Sequence, residues 1–558
     1  MPIPDPAKKV PMLFRAQING RCQIQRLVPG ANEQDATRWT GEWVDKTYSQ
    51  LPEPSTNVQT RIFNLTWRFI TNSGQDDGVI RPVIGALGWP LYPGSSMKGI
   101  FSRACTKEQR DYYCGKSVDG DFKPGILRFH GGYPTDTAWT EDLVDIVHPQ
   151  QDWQVKSSDK GSGAFIQISL HKPELRFSIS SNTPLDDSEW EIIWNIWEKA
   201  ISKGIGSRVC AGYGQPEKHT GNILYYTRLK GQGQAAKLID GTGEFRANIF
   251  RAAVRGHALR IFGGLTNENT ADRIVNNLFG GIQGQAVIGL LGMSFQVFKD
   301  DPGTFGRGGY IQPTYDIEGE LTWLLMKKLP DPKHEEALKK LIAALTQFSM
   351  VLGGFGKSWR RADHRLFYEE YYENQHKSLI GCHWQWLGER SLFNDVQVRK
   401  LEQVGGFIDK VRQIAQDWMV LQNITPNINQ KAPWREAWHP DKVQVWGREA
   451  ETSEESKAIF WLHGAYQDEI RGIQPEGSIY RSSLTGRMGQ IGRIWHRMYP
   501  LVRLVKNPQN PNGKPIPKKT TKYLEILTIF PDNSNESRQF LQYLDSQKKQ
   551  QNSFQKLW

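Results

Sequence analysis

The chain is poor in cysteine and has no long apolar run. Its five cysteines, Cys22, Cys105, Cys114, Cys210 and Cys382, are scattered without a CxxC pair, which argues against a zinc ribbon and a disulfide framework. No apolar stretch reaches the roughly 20 residues that cross a bilayer as a helix, so no membrane partner is expected. The opening MPIPDPAKKV has charge and proline but no apolar segment followed by a small-residue cleavage site, the mark of a secretory signal. A cytoplasmic protein with reduced thiols is the expectation. The glycine-rich stretches contain neither GxGxxG after a strand nor GxxxxGK[ST], so the usual cradle for nucleotide phosphates is missing. His, Cys, Asp and Glu nowhere cluster with the spacing of a preformed metal cage.

A chain of 558 residues exceeds what one hydrophobic core normally serves, and two or three domains are expected. Seventy Lys and Arg against 59 Asp and Glu give a formal charge of +11, which concentrates polyanions near the surface. The 20 tryptophans, 18 tyrosines and 24 phenylalanines are first of all core material. Some could stack on unpaired bases, the way single strands are held beside basic grooves.

One order of elements occurs twice. In the first half the strand-like FNLTWRFIT (63–71) precedes the polar loop SGQDDGVIRP, and PLYPGSSMKGIFSRAC (90–105) reads as a turn and N-cap opening a helix. The strand ELRFSIS (174–180), the amphipathic helix DDSEWEIIWNIWEKAISK and the glycine-rich loop GIGSRVCAGYGQ (204–215) follow. The second half runs from the loop LIDGTGEFR through the basic helix NIFRAAVRGHALRIF (248–262). Next come the strand YDIEGELTWLLM (315–326), another helix, and the loop GGFGKSWRRADHR (353–365). Such a repeat constrains the fold more than any single motif. It predicts an α+β protein of two tandem domains, residues 1–225 and 226–375, each with a β-α-β-β-α-β ferredoxin-like core and inserted loops, the topology of RNA recognition modules. Residues 376–558 read as a C-terminal extension packing on the second domain, with a Lys-, Gln- and Asn-rich flexible end.

At PLYPGSSMKGIFSR and again at GIGSRVCAGYGQ the sequence resembles the RAMP superfamily, the repeat-associated proteins that form the backbone of CRISPR type III RNA-guided effectors. The second half matches more loosely, keeping the basic helix and GGFGKSWRR without the Pro-Gly-Ser-Ser turn. The resemblance covers roughly residues 10 to 370, and a chain with two such domains is similar to fused double backbone subunits. It implies binding of a guide crRNA and of complementary target RNA. The partners it implies are other RAMP-type subunits, a large polymerase-like subunit and small subunits.

Base pairing supplies the sequence readout in RNA-guided complexes, and the protein mainly holds a backbone in shape. Ser95 and Ser96 at a helix start, with Lys98 and Arg103, suit guide phosphates. Gly204, Gly206, Gly212 and Gly214 would let the chain approach RNA closely, with Arg208 supplying charge and Tyr213 a stacking face. Arg251, Arg255, His257 and Arg260, with Lys357, Arg360 and Arg361, would repeat this on the next guide segment, although a lone histidine is more often a structural group. The resemblance also places a catalytic acid in SGQDDGVIRP, at Asp76 with Asp77 beside it. By position Asp240 is its counterpart, with Glu244 a weaker choice. The implied reaction is attack by a ribose 2′-OH on the adjacent phosphate, giving a cyclic phosphate and a 5′-OH. A divalent Mg or Mn ion, bound transiently with the RNA, would assist it. Three other readings stand beside this one: a guide-binding or capping subunit without cleavage, a stand-alone RNA-processing endonuclease, and a basic RNA-binding protein of another kind. The second would need a general acid-base pair.

Overall fold

The computed structural model describes residues 11–15, 33–54, 57–71, 74–76, 79–118, 121–147, 152–156, 165–219, 222–238, 241–283, 285–356, 381–466, 477–487, 490–508, 510, 514–547 and 552–558. It is a mixed α+β protein built from several small, mostly antiparallel sheets.

In the first unit strand β1 (Gln59–Asn64) is followed by the short hairpin β2 (Gly74–Asp76) and β3 (Val79–Arg81). Helix α1 (Gly94–Ala104), strands β4 (Leu127–Pro134), β5 (Val144–Val147), β6 (Phe165–Ile168) and β7 (Glu174–Ser181), and helix α2 (Asp187–Ile201) complete it. The main sheet has the order β1-β7-β4, all antiparallel, and Leu65 forms an isolated bridge with Pro216. A second sheet, β2-β3-β6-β5, carries the hairpin. The strand expected over 63–71 is interrupted after Asn64 and resumes only at Arg68–Phe69, which pairs with Leu170–His171.

Helix α2 shows how local sequence sets these elements. The Asp186 carboxylate accepts from the Glu189 backbone N–H at 2.8 Å and caps the start, worth about 1 kcal/mol. Ile193 and Trp194, then Trp197 and Ile201 three to four residues further on each time, form the buried stripe. They join Phe69, Met97, Phe101 and Phe177 in the core of this unit.

The second unit comprises β8 (Ile223–Gln234), α3 (Asn248–Gly263), α4 (Glu268–Phe279), β9 (Leu291–Phe305), β10 (Gln312–Leu325), α5 (Pro332–Leu352), β11 (Cys382–Trp386) and α6 (Gln403–Leu421). Its sheet is ordered β9-β10-β8-β11, antiparallel throughout.

Residues beyond 440 have a sheet and a core of their own. Strands β12 (Gln444–Ala450), β13 (Ile494–Val505), β14 (Ile516–Ile529) and β15 (Gln555–Lys556) are ordered β13-β14-β12-β15, again antiparallel. Helix α7 (Ala458–His463) lies between the first two strands in sequence, and α8 (Asn535–Gln547) between the last two. Taking strands in chain order, the second and third sheets share the order 2-3-1-4, and the first unit has the same 2-3-1 core. The stretch read as an extension therefore repeats the plan of the units before it. It also packs on them: Trp438, Trp495 and Phe530 share a core with Phe348 of α5 and Phe262 of α3, and Phe305 at the end of β9 joins the separate cluster around Trp446 and Phe540.

Candidate nucleic-acid interface

Three sequence motifs converge on residues 68–71 of the first unit. The glycine-rich loop is tied there by hydrogen bonds from Gly214 N–H to Arg68 O at 2.7 Å and from Ser207 N–H to Ile70 O at 2.9 Å. The same segment leads directly into the β2–β3 hairpin, which carries Asp76 at the end of β2. Tyr92, just ahead of α1, is buried and hydrogen-bonded to the backbone of Gly206. Burial outweighs the nearby Arg103 charge and this bond, and pushes the Tyr92 hydroxyl up to about 12. Tyr92 thus joins the start of α1 to the glycine-rich loop.

The Pro-Gly-Ser-Ser turn divides its work. Gly94 begins α1 so close to β4 that a Cβ there would lie 2.0 Å from Phe129 O, so only glycine fits. Pro93, inside the expected turn-and-cap segment, is the N-cap, and no side chain caps the helix. Met97 and Phe101 bury the inner face, while Ser95, Ser96 and Arg103 are exposed and Lys98 is half-buried. An uncapped helix start with two exposed hydroxyls beside cations has the chemistry of an anion site.

In the glycine-rich loop the close approaches are made to the chain itself. Gly206 has φ +78° and a Cβ would sit 2.3 Å from Ile70 O; Gly214 has φ +60° and a Cβ would sit 1.9 Å from Ile205 O. Gly204 and Gly212 likewise have positive φ. Gly206 remains exposed. Arg208 adopts the left-handed conformation ahead of a single 3₁₀ turn, and its guanidinium, lowered by burial, interacts with Tyr213 and Asp145. Tyr213 does not offer the expected stacking face. It is fully buried against Trp67, with ring centroids 4.6 Å apart, and donates to Asp145 Oδ2 at 2.9 Å. A phenol with this bond satisfied inside the core is not available to a base.

The second half departs further from expectation. Arg251, Arg255, His257 and Arg260 are all buried along α3, and their assignment to guide phosphates is corrected. Arg251 donates to Phe279 O at 2.5 Å, and burial lowers its guanidinium to about 10. Arg255 pairs with Asp152 and donates to Asn276 at 3.1 Å. Arg260 pairs with the buried Glu436, Nε to Oε2 at 2.9 Å, and lies 4.8 Å over the Trp495 ring. His257 sits edge-on to Phe348 and Trp495, and burial together with Arg260 pushes it well below its usual range, so it is neutral. A charge taken out of water must be paired, and these four residues spend their bonding on the protein.

Glu244 is equally committed. It accepts from Arg68 Nε at 2.8 and 2.9 Å and from Trp67 Nε1 at 2.9 Å. Burial raises its carboxyl, but the bonds and charge of Arg68 prevail and hold it below the ordinary value. Beside it Arg246 pairs with the buried Asp145 at 2.8 Å. The first two units are thus joined by two ion pairs of opposite polarity. Residue type alone did not reveal this role, although the alternation Glu244, Phe245, Arg246 was a signal for a pairing segment. The seam encloses a cleft of about 290 Å³ lined by Trp67, His171, Lys172, Glu244, Phe295 and Tyr315.

The side chain of Asp76 and the whole of Asp77, Asp240, Lys357, Arg360 and Arg361 lie outside the described residues. Among the described residues no group of three His, Cys, Asp or Glu side chains could hold a metal ion, and no helix is long and apolar enough to cross a membrane.

No protein-family description matches the chain, and no curated protein matches it. Among solved structures, one chain of a type III-B Cmr-beta complex bound to cognate target RNA is 19% identical. The match covers 29% of this chain and 58% of that one at a TM-score of 0.22. This chain therefore spans little more than half the length of that neighbour. A chain of a type IV-B CRISPR complex is 15% identical, covering 28% and 87% at a TM-score of 0.20. A chain of the type III-B Cmr-beta complex bound to cognate target RNA and AMPPnP, in the presence of ssDNA, is 9% identical, covering 58% and 99% at a TM-score of 0.30. At these scores the likenesses assign neither a family nor an activity to the chain.

Proposed function

We propose that this chain is an RNA-holding backbone subunit of a CRISPR type III RNA-guided effector. The observation that carries the proposal is the convergence on residues 68–71 of the glycine-rich loop and the stem of the acid-bearing hairpin, with the α1 helix start tied to that loop through Tyr92. The helix start and the glycine-rich loop are the motifs on which the first half resembles the RAMP superfamily, and they leave Ser95, Ser96, Arg103 and Gly206 exposed beside a helix start that no side chain caps. Such a surface suits phosphates and reads no base, as expected where pairing supplies specificity. A ferredoxin-like reading of each unit is supported by the repeated strand order with a helix after the first and third strands.

Within this proposal Asp76, Asp77 and Asp240 serve cleavage of the target RNA by attack of a ribose 2′-OH on the neighbouring phosphate, expelling the 5′ oxygen. In this reading a divalent Mg or Mn ion, bound transiently with the RNA, assists the step. Guide crRNA, target RNA and further effector subunits are the partners proposed.

The test is cleavage of labelled complementary RNA by the reconstituted complex with Mg²⁺ or Mn²⁺, using wild type, Asp76→Ala, Asp77→Ala and Asp240→Ala. Loss of one discrete cut with guide and target still bound is expected for a cleaving subunit. Unchanged cutting in all three leaves a holding role, and failure to bind either RNA rejects the proposal.

A further inference from the structure

The third unit carries a hairpin whose charges are not balanced. Between residues 500 and 523 the sequence has Arg503, Lys506, Lys514, Lys518, Lys519 and Lys522, with no Asp or Glu. These residues form the outer half of the β13–β14 hairpin and its approach to the turn. In the register of the two strands Arg503 stands directly opposite Lys518, and Val502 opposite Lys519. Like charges directly opposite one another in an antiparallel pair are destabilising. Two of the six cations are used within the protein: Lys522 pairs with Glu451 at 2.6 Å, and Lys519 donates to Gln385 at 2.8 Å. Arg503, Lys506, Lys514 and Lys518 are exposed, and among the described residues none has a carboxylate within ion-pair reach.

The corresponding hairpin of the second unit, β9–β10, shows the alternative. There Asp301 stands opposite Asp316, but Lys299 lies 3.9 Å from Asp301, and Lys230 lies 3.7 Å from Asp316 and 3.0 Å from Glu318. One hairpin neutralises its repulsion internally and the other does not.

We infer that the β13–β14 hairpin is a further RNA-binding element, contacting the phosphates of a single strand through Arg503, Lys506, Lys514 and Lys518. The inference rests on the proposed function for the identity of the polyanion. It extends contact to a region outside the motifs from which that function was argued. Two features favour an extended phosphate backbone over other anionic surfaces. No aromatic residue lies between 500 and 522, so the hairpin lacks the aromatic anchors of an interfacial membrane segment. Pro508, Pro515 and Pro517 remove backbone donors, which discourages pairing with an added strand. Contact made only by charge predicts binding that is insensitive to base sequence and strongly salt-dependent.

The experiment measures binding of a labelled oligouridylate to the full chain across a salt series. Wild type is compared with the Arg503→Gln, Lys506→Gln, Lys514→Gln, Lys518→Gln variant. Each lost phosphate contact on a single strand removes about 0.7 from the slope of log K against log salt. The four-fold variant is therefore expected to lose roughly 3 from the slope and more than about tenfold in low-salt affinity, with its circular dichroism unchanged and its thermal midpoint not lowered, because the Arg503–Lys518 repulsion is removed. A control variant, Lys327→Gln, Lys328→Gln, Lys333→Gln, Lys339→Gln, removes the same charge from other exposed positions and should keep the wild-type slope. Wild-type affinity and slope in the hairpin variant, or an equal loss in the control, overturns the inference. So does loss of binding to phosphatidylserine vesicles with RNA binding unchanged. If the hairpin variant is unaffected while Ser95→Ala, Ser96→Ala, Arg103→Gln weakens RNA binding, only this inference falls; if wild type binds no RNA, the proposed function falls with it.

Discussion

Several charged side chains that look like ligand contacts in the sequence are structural in the fold. Arg260 and Glu436 are both fully buried and bonded to each other. Removing one partner leaves an uncompensated charge, which costs about 3–5 kcal/mol, whereas replacing both by apolar groups is often neutral. Glu436 also pairs with the buried Arg435, so Glu436→Gln, which strands two guanidiniums, should lower the thermal midpoint more than Arg260→Met, which leaves Glu436 paired with Arg435; calorimetry of wild type and the two variants checks this. In the third unit Glu525 accepts from Arg448 at 2.7 Å, from His496 at 3.1 Å and from the Ala458 backbone at 2.9 Å, and also from Ser456. Burial alone would raise its carboxyl, but His496 first, then Arg448 and Ser456, bring it down from 4.5 to about 2. A depressed folded-state value means that the stabilisation is complete above the unfolded value and is lost as pH falls through the folded one. Acid unfolding of wild type should show a component between about pH 4.5 and 2 that is absent from Glu525→Gln, followed by circular dichroism. Gly214→Ala places a methyl against Ile205 O at positive φ, and should destabilise the glycine-rich loop and speed its amide exchange.

At the level of elements, legibility followed how locally each was determined. Helix α1, helix α2 and the glycine-rich loop were readable because capping residues, apolar spacing and clustered glycines act within a few residues. The basic helix over 248–262 was also placed correctly, but its environment was misjudged. Arg251 and Arg260 are nine residues apart, on opposite sides of a 3.6-residue helix, with Phe250, Val254, Leu259 and Ile261 between and around them. Arg251 and Arg255 share a face and Arg260 lies on the opposite one, so the cations form no single stripe and the apolar residues around them leave no wholly polar face for solvent. The covering elements, α5, α6 and residues 434–438, come from far along the chain, so periodicity within the helix could not reveal them. The third sheet was missed for a similar reason. Its helix α7 spans only six residues, and its last strand is the two-residue Gln555–Lys556. In α1 the exposed positions are dispensable for packing. Ser95→Ala, Ser96→Ala, Arg103→Gln should leave the thermal midpoint unchanged, since exposed substitutions away from caps usually alter stability by less than about 0.5 kcal/mol. The same variant should weaken RNA binding severalfold, read by fluorescence anisotropy at low and moderate salt.

On the scale of the whole molecule, three units with related strand order are joined by buried polar pairs and shared cores. Arg68–Glu244 and Asp145–Arg246 fix the first unit to the second. The core around Trp438 and Trp495 fixes the second to the third. Rigid spacing of repeated units is what a subunit needs to hold successive stretches of one extended RNA in register. The most direct test of that role is to isolate the tagged full-length chain from its own cells under native conditions and sequence the RNA that comes with it. The account predicts a population of short RNAs sharing a constant end and differing in the remainder, as guides do, and a reduced yield from Ser95→Ala, Ser96→Ala, Arg103→Gln. Recovery of no RNA above background, or of random fragments of abundant transcripts, would contradict it.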